Sequence, residues 1–257
     1  MIANYHTHNR WCRHAVGEIE DYIKVALEEG FEELAITDHV PHSDNIDKRR
    51  IQWEEFPEYN RLLDRAIAEY GDRISLIKGF ECEYYPESMP EYRWMRDDYG
   101  YELLILGQHW YGEGRQYFAF SHEKTADEMH IYSDTVCDGL NTGLFGFLAH
   151  PDLCVLGYAP GWDKECESCM RQIFAECEKL DIPVEINGAG AYENRGYPGR
   201  EAFLLSKEYK LRYLINMDAH DPEYLRADHS CVPEAFAREL GIAVMEKLPR
   251  DDFDHLR

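Results

Sequence analysis

The chain has no excess of positive charge, no long apolar run, no low-complexity stretch, and no dinucleotide-type glycine fingerprint after its first β-rich segment. Each absence removes a class of function. With 27 basic residues against 50 acidic ones, and a formal net charge of -23, there is no basic stripe to track a phosphate backbone, which argues against a nucleic-acid partner. A small anionic ligand would need positive charge from metal ions or a few arginines inside this acidic shell. No run approaches the roughly 20 apolar residues that span a bilayer, and the opening MIANYHTHNR carries neither a basic leader nor an apolar stretch suited to secretion. The expectation is a cytoplasmic protein with no membrane partner.

Paired cysteine motifs are scarce as well. Of the eight cysteines, Cys166 and Cys169 in CESC have zinc spacing, but no second pair accompanies them and a helical pattern continues through MRQIFAECEKL. They read as helix surface and core, and the remaining cysteines as reduced, buried thiols. Without a composition break, residues 1–257 are expected to form a single domain.

Against these absences stands a regular rhythm. Short β-rich runs recur seven times: ANYHTHN, ELAITDHV, SLIKGFECEYY, ELLILGQHW, GFLAHPD, PVEINGAG and RYLINMDAHD. Segments with helical spacing separate most of them. EIEDYIKVALEEG carries Ile19, Ile23 and Leu27 and stops at Gly30, and WEEFPEYNRLLDRAIAEYGD repeats the pattern through Tyr70. Further helices are expected over Pro90 to Gly100 and in DEMHIYSDTVCDGL, ESCMRQIFAECEKL, GREAFLLSKEY and VPEAFARELG. Alternation of this kind predicts an α/β fold of parallel strands and crossover helices, and seven units without a dinucleotide glycine fingerprint favour a closed or nearly closed (β/α), TIM-barrel-like architecture over a doubly wound sheet.

Active sites of such barrels gather at the C-terminal ends of the strands. Here those ends carry His6 and His8, then Asp38 and His39, Glu81, His109, His150, Glu185, and finally Asp218 and His220. An isolated HxH pair reads most simply as satisfied or exposed histidines. Seven successive ends change that, because collecting so many ionisable groups at one mouth without an ion costs several kcal/mol in desolvation and like-charge repulsion. The pattern predicts a polynuclear metal site. Mixed imidazole and carboxylate ligation suits zinc, manganese or iron alike.

In order, HTH, TDH, GFE, GQHW, AHPD and MDAHDPEYL resemble the successive motifs of the polymerase and histidinol phosphatase (PHP) family, over most of the chain. The resemblance implies a distorted (β/α)7 barrel that holds three divalent metal ions and hydrolyses phosphoesters. One ion would be held by His6, His8, Glu81 and Asp218, a second by Glu81, His109 and His150, and a third by His14, His39 and His220. The implied reaction is hydrolysis of a small phosphomonoester by metal-bound hydroxide. Histidinol phosphatases of the family suggest L-histidinol phosphate, a step of histidine biosynthesis. Asp152 and His42 are candidates to protonate the leaving oxygen, each with a purely orienting role as the alternative. Arg195, Arg200 and Arg226 could each fork a phosphate, Arg195 being favoured, with a surface salt bridge as the competing reading. Trp110, Tyr111 and Tyr192 are candidate pocket aromatics. Other readings are a PHP enzyme acting on nucleotides or nucleic acid ends, and a non-catalytic metal-binding barrel.

Overall fold

A computed structural model describes residues 1–249 of the chain. In order, the elements are β1 (Ala3–Asn4), α1 (Ile19–Glu28), β2 (Glu33–Ile36), α2 (Phe56–Tyr70), β3 (Ser75–Cys82), α3 (Met89–Tyr99), β4 (Leu103–Leu106), β5 (Trp110–Tyr111) and β6 (Tyr117–Phe118). There follow α4 (Ala126–Leu140), α5 (Lys164–Leu180), β7 (Val184–Asn187), α6 (Gly188–Tyr192), α7 (Arg200–Ser206), β8 (Tyr213–Asn216) and α8 (Ala227–Leu240). No helix among the described residues is long and apolar enough to cross a membrane.

The helices form where the apolar spacing places them, and local chemistry fixes their ends. Thr125 and Glu128 close a capping box at the start of α4, and the Asp163 carboxylate accepts the Glu165 and Cys166 N–H groups at the start of α5. Gly100 ends α3 with φ 71°, a left-handed conformation that suits a residue without Cβ.

Strands β1 to β4 pair in parallel as a curled four-stranded sheet, and β7 and β8 pair in parallel as a second unit. Isolated parallel bridges link them: Leu148 meets Leu106 on one side and Val184 on the other, while Thr7 meets Ala219. Side chains reinforce that last junction. The Asn216 carboxamide oxygen accepts the Tyr5 N–H at 2.8 Å, and the Asn4 carboxamide oxygen accepts the Met217 N–H at 2.6 Å.

Strand alternation sorts the core into two clusters. Ala3, Tyr5, Ala35, Ile77, Leu103, Ile105, Phe147, Ala149 and Leu214 form a small inner cluster closed by Leu248. Their neighbours along the strands, such as Leu34, Ile36, Phe80, Leu104, Leu106 and Val184, join the larger cluster that includes the helices. There Phe80 stacks on Tyr101 with centroids 4.2 Å apart, a geometry worth about 0.5–1.5 kcal/mol beyond the area buried.

Six of the seven expected runs contain a strand. The fifth, GFLAHPD, pairs through Leu148 alone, although Ala149 N–H still reaches Leu106 O and Glu185 N–H reaches Leu148 O. At His150 the backbone turns to φ 29°, which ends any extended ladder. The antiparallel β5–β6 hairpin and the short α6, which follows β7 directly, add to the expected plan.

Candidate metal centre

The face of β3 that carries Ile77 into the inner cluster carries Glu81 two pairs of residues further on. Glu81 is 1% exposed and forms the hub of the centre. Its carboxylate accepts from His150 Nε2 at 2.9 Å and lies 2.9 Å from His39 Nδ1, 3.3 Å from His109 Nε2, 3.4 Å from His8 Nε2 and 3.5 Å from His6 Nε2. Asp218, beyond β8, lies 3.1 Å from His8 Nε2 and 3.4 Å from His6 Nε2. His14 and His220 complete the group at the mouth: His220 stacks on His8 at 4.2 Å, and His14 Nε2 faces His39 Nε2 at 3.3 Å. All nine residues named from the sequence as candidate ligands therefore meet in one place.

Most rings are gripped from behind. His6 Nδ1–H donates to Glu185 at 2.9 Å, His109 Nδ1–H to Glu83 at 3.1 Å, His14 Nδ1–H to Cys12 O at 2.7 Å and His220 Nδ1–H to Asp218 O at 2.9 Å. His8 Nδ1 lies 3.6 Å from Asp38. Such partners fix the tautomer and aim the opposite nitrogen. Two of the gathered residues, His150 and Asp218, hold left-handed backbones with φ 29° and 48°, a strained conformation for residues bearing a Cβ. Gly107, at the end of β4, lets Glu81 reach the centre, since a Cβ there would stand 2.0 Å from Glu81 Oε1.

Charge is unevenly spread. Burial opposes ionisation of Glu81, yet His109, His6 and His39 outweigh it and hold the carboxylate well below its usual range; His6 and His8 do the same for Asp218. Burial alone would lower His6, but Asp218, Glu185 and Glu81 raise it to about 10. His39, dominated by burial and repelled by His8, falls to about 3.

The donor set fits metal ions. His6 Nε2, His8 Nε2 and His39 Nδ1 are buried without a hydrogen-bond partner, an expensive state for polar atoms unless a cation completes them. Several triads, including His6–His8–Glu81, His6–His150–Asp218 and His8–His39–His220, have ligand atoms within 4.8 Å of one another. Cys12, left out of the candidate set, also comes within that distance of His14 and His220. Burial pushes its thiol pKa up, toward the neutral form.

A cavity of about 520 Å³ opens over the centre. Trp110, Phe118 and Phe120 line it, with Arg195, Glu193 and Tyr224 also in the wall. Arg195 pairs with Glu193 at 2.5 Å and donates to Tyr197 Oη at 3.5 Å. The other two arginines lie off the cavity wall: Arg200 pairs with Glu239, and Arg226 with Glu28, Glu29 and Glu223. Surface salt bridges account for both. Tyr111 is buried, and Tyr192 is exposed against Tyr224 and His229.

The two candidate acids also stand off the cavity wall. His42 is 2% exposed, bonded through Nδ1 to Ser88 Oγ at 3.3 Å and packed against Tyr85 and Tyr92. Asp152 is buried and accepts the Gly199 N–H at 2.5 Å, tying down the loop that carries Arg195; burial pushes its carboxyl up to about 6. Sequence patterns do not single out Glu83, Arg50, Gly107, Phe118 of β6 or Phe120 just beyond it, all of which lie at the site.

Comparisons with known proteins give the family and the fold likeness. The PHP domain model matches residues 4–189. The chain is 25% identical over 235 residues to the "Probable histidinol-phosphatase" of Deinococcus radiodurans, covering 86% of this chain and 87% of that protein. It is 31% identical over 119 residues to the protein of the same description in Schizosaccharomyces pombe, covering 42% of this chain and 39% of that one. In fold it resembles the crystal structure of histidinol phosphate phosphatase from Lactococcus lactis, complexed with zinc, L-histidinol and phosphate. That likeness has a TM-score of 0.75 at 15% identity and covers 96% of this chain and 97% of the other. With the family model spanning most of its length and the histidine-rich centre assembled from the matching motifs, the chain belongs to the PHP domain family.

Proposed function

We propose that the protein is a metal-dependent phosphatase that converts a small phosphomonoester, L-histidinol phosphate, to L-histidinol and phosphate. The observation that carries this reading is the convergence of seven imidazoles on two ionised carboxylates, with buried ring nitrogens left without a hydrogen-bond partner. His6, His8, Glu81 and Asp218 would hold one ion, Glu81, His109 and His150 a second, and His14, His39 and His220 a third. Bound ions there supply Lewis-acid polarisation of phosphoryl oxygens and acidify a water.

The chain's own residues do the rest. Glu185, Glu83 and the carbonyls of Cys12 and Asp218 keep the rings aimed. Arg195 donates to phosphate oxygens from the cavity wall, and its contact with Glu193 fixes the guanidinium plane. Trp110, Phe118 and Phe120 offer the alcohol portion a flat apolar surface, while Asp47 and Asp221 in the same wall suit its ammonium group. The described residues support one domain, and the bridges at Leu148 and Thr7 with the enclosed inner cluster support a distorted seven-unit (β/α) barrel.

Phosphate release should be followed with Zn²⁺- or Mn²⁺-loaded protein on L-histidinol phosphate, glycerol phosphate, nucleoside monophosphates and a labelled single strand. Metal-dependent release, fastest from L-histidinol phosphate and abolished by chelation, is expected. Nucleotides freed from the strand without any phosphatase activity would overturn the assignment.

A further inference from the structure

Glu83 lies outside the ligand set proposed above, yet it is 1% exposed and lines the cavity. It follows β3 on the same face as Glu81. Glu83 Oε1 accepts from His109 Nδ1–H at 3.1 Å and from Arg50 Nη2 at 2.9 Å, and Oε2 accepts from Arg50 Nη1 at 3.0 Å. Arg50, in the segment between β2 and α2, is 4% exposed and also donates to Val40 O at 3.1 Å. These contacts therefore tie together the ends of β2, β3 and β4.

Geometry gives the contacts a direction. An imidazole that commits its Nδ1–H to a carboxylate presents the bare lone pair of Nε2 on the far side. For His109 that far side is the centre, with Nε2 3.3 Å from Glu81. The His6–Glu185 pair repeats the arrangement, but there the other donors to the carboxylate are the neutral His150 N–H and Asn187 amide. At Glu83 the second donor is a two-pronged guanidinium, the strongest grip available to a buried carboxylate.

We propose that Glu83 is a positioning residue for His109, that Arg50 holds Glu83 in register, and that this chain of three sets the affinity of the ion His109 would bind. The proposal rests on the metal reading of the centre, and the test separates the two. Metal-free protein is titrated with Zn²⁺ in competition with a chromophoric chelator, for wild type, Glu83→Gln, Glu83→Asp and Arg50→Met, with far-UV circular dichroism to check folding. A wild type without tight Zn²⁺ binding overturns the metal reading and the proposal with it. If the wild type binds, Glu83→Gln is expected to weaken one equivalent about 10–100-fold while the other equivalents hold, with Glu83→Asp recovering part of the loss. Wild-type affinity for every equivalent in folded Glu83→Gln overturns the proposal and leaves the metal reading standing. Should Glu83→Gln fail to fold, Arg50→Met decides: selective weakening of one equivalent supports the proposal, and unchanged binding overturns it.

Discussion

Replacing Glu81 with glutamine should uncouple the stability of the protein from metal. Five imidazole nitrogens lie within 3.5 Å of the Glu81 carboxylate, and the proposed centre shares that carboxylate between two ions. Glutamine keeps the shape and one acceptor oxygen but loses the charge. Removing a group that merely orients a ligand costs a site about 10–100-fold, so losing the ligand itself should cost each of the two ions at least about 100-fold, or about 2.7 kcal/mol. Because an ion that binds only the folded chain stabilises it directly, the metal-dependent part of the stability should shrink by about 5 kcal/mol at saturating metal. At about 2–4 °C per kcal/mol for a chain of this size, that is about 10–20 °C of Tm. The assay is calorimetry of both proteins, each with Zn²⁺ and with chelator, beside elemental analysis. Comparing the Zn²⁺-induced rise within each protein cancels the cost of disturbing the buried cluster. A variant that keeps its full metal content and an undiminished rise would refute the assignment of Glu81 as the hub.

Two further outcomes follow from the cavity and its surroundings. Arg195→Ala should raise KM for the phosphomonoester about 10–100-fold, the worth of hydrogen bonds to a charged group, whereas Arg200→Ala and Arg226→Ala should stay within about twofold. Equal effects at all three in steady-state kinetics would remove Arg195 from the phosphate site. Lys124 Nζ donates to the Ala119 and Leu156 carbonyls, and burial pushes its pKa from 10.5 down to about 8. Between those two values the unfolded chain keeps a proton that the folded chain has released, so the Lys124 contribution to stability grows as pH rises through the window and is lost as pH falls through 8. Urea unfolding of wild type and Lys124→Met should show a difference that widens in favour of wild type across that range; a constant difference would refute it.

Much of the centre was legible because strand ends have a signature. Period-2 runs end in chemistry-bearing residues, and HTH, TDH, GFE, GQH, AHP and DAH all fall where an inward-facing position leaves the apolar interior. Less visible were groups whose role depends on a partner far along the chain. Arg50 lies 33 residues before Glu83 in a stretch without periodicity, and nothing local distinguishes it from a surface arginine. Phe118 belongs to a hairpin with two-residue strands, too short to register as alternation. His42, a candidate acid by residue type, is enclosed by Ser88, Tyr85 and Tyr92, an environment its neighbours in sequence do not reveal. The helix α6 forms from GAGAY, a poor helix former, because Asn187 caps it through Gly190 N–H.

The junction between the two ends of the fold governs when the centre can exist. In a growing chain His6 and His8 emerge more than two hundred residues ahead of Asp218 and of the Asn216 amide that anchors Tyr5. During synthesis these imidazoles lack the Asp218 carboxylate until the chain has grown past β8. The complete set, from His6 to His220, is accordingly assembled only once β8 has docked beside β1.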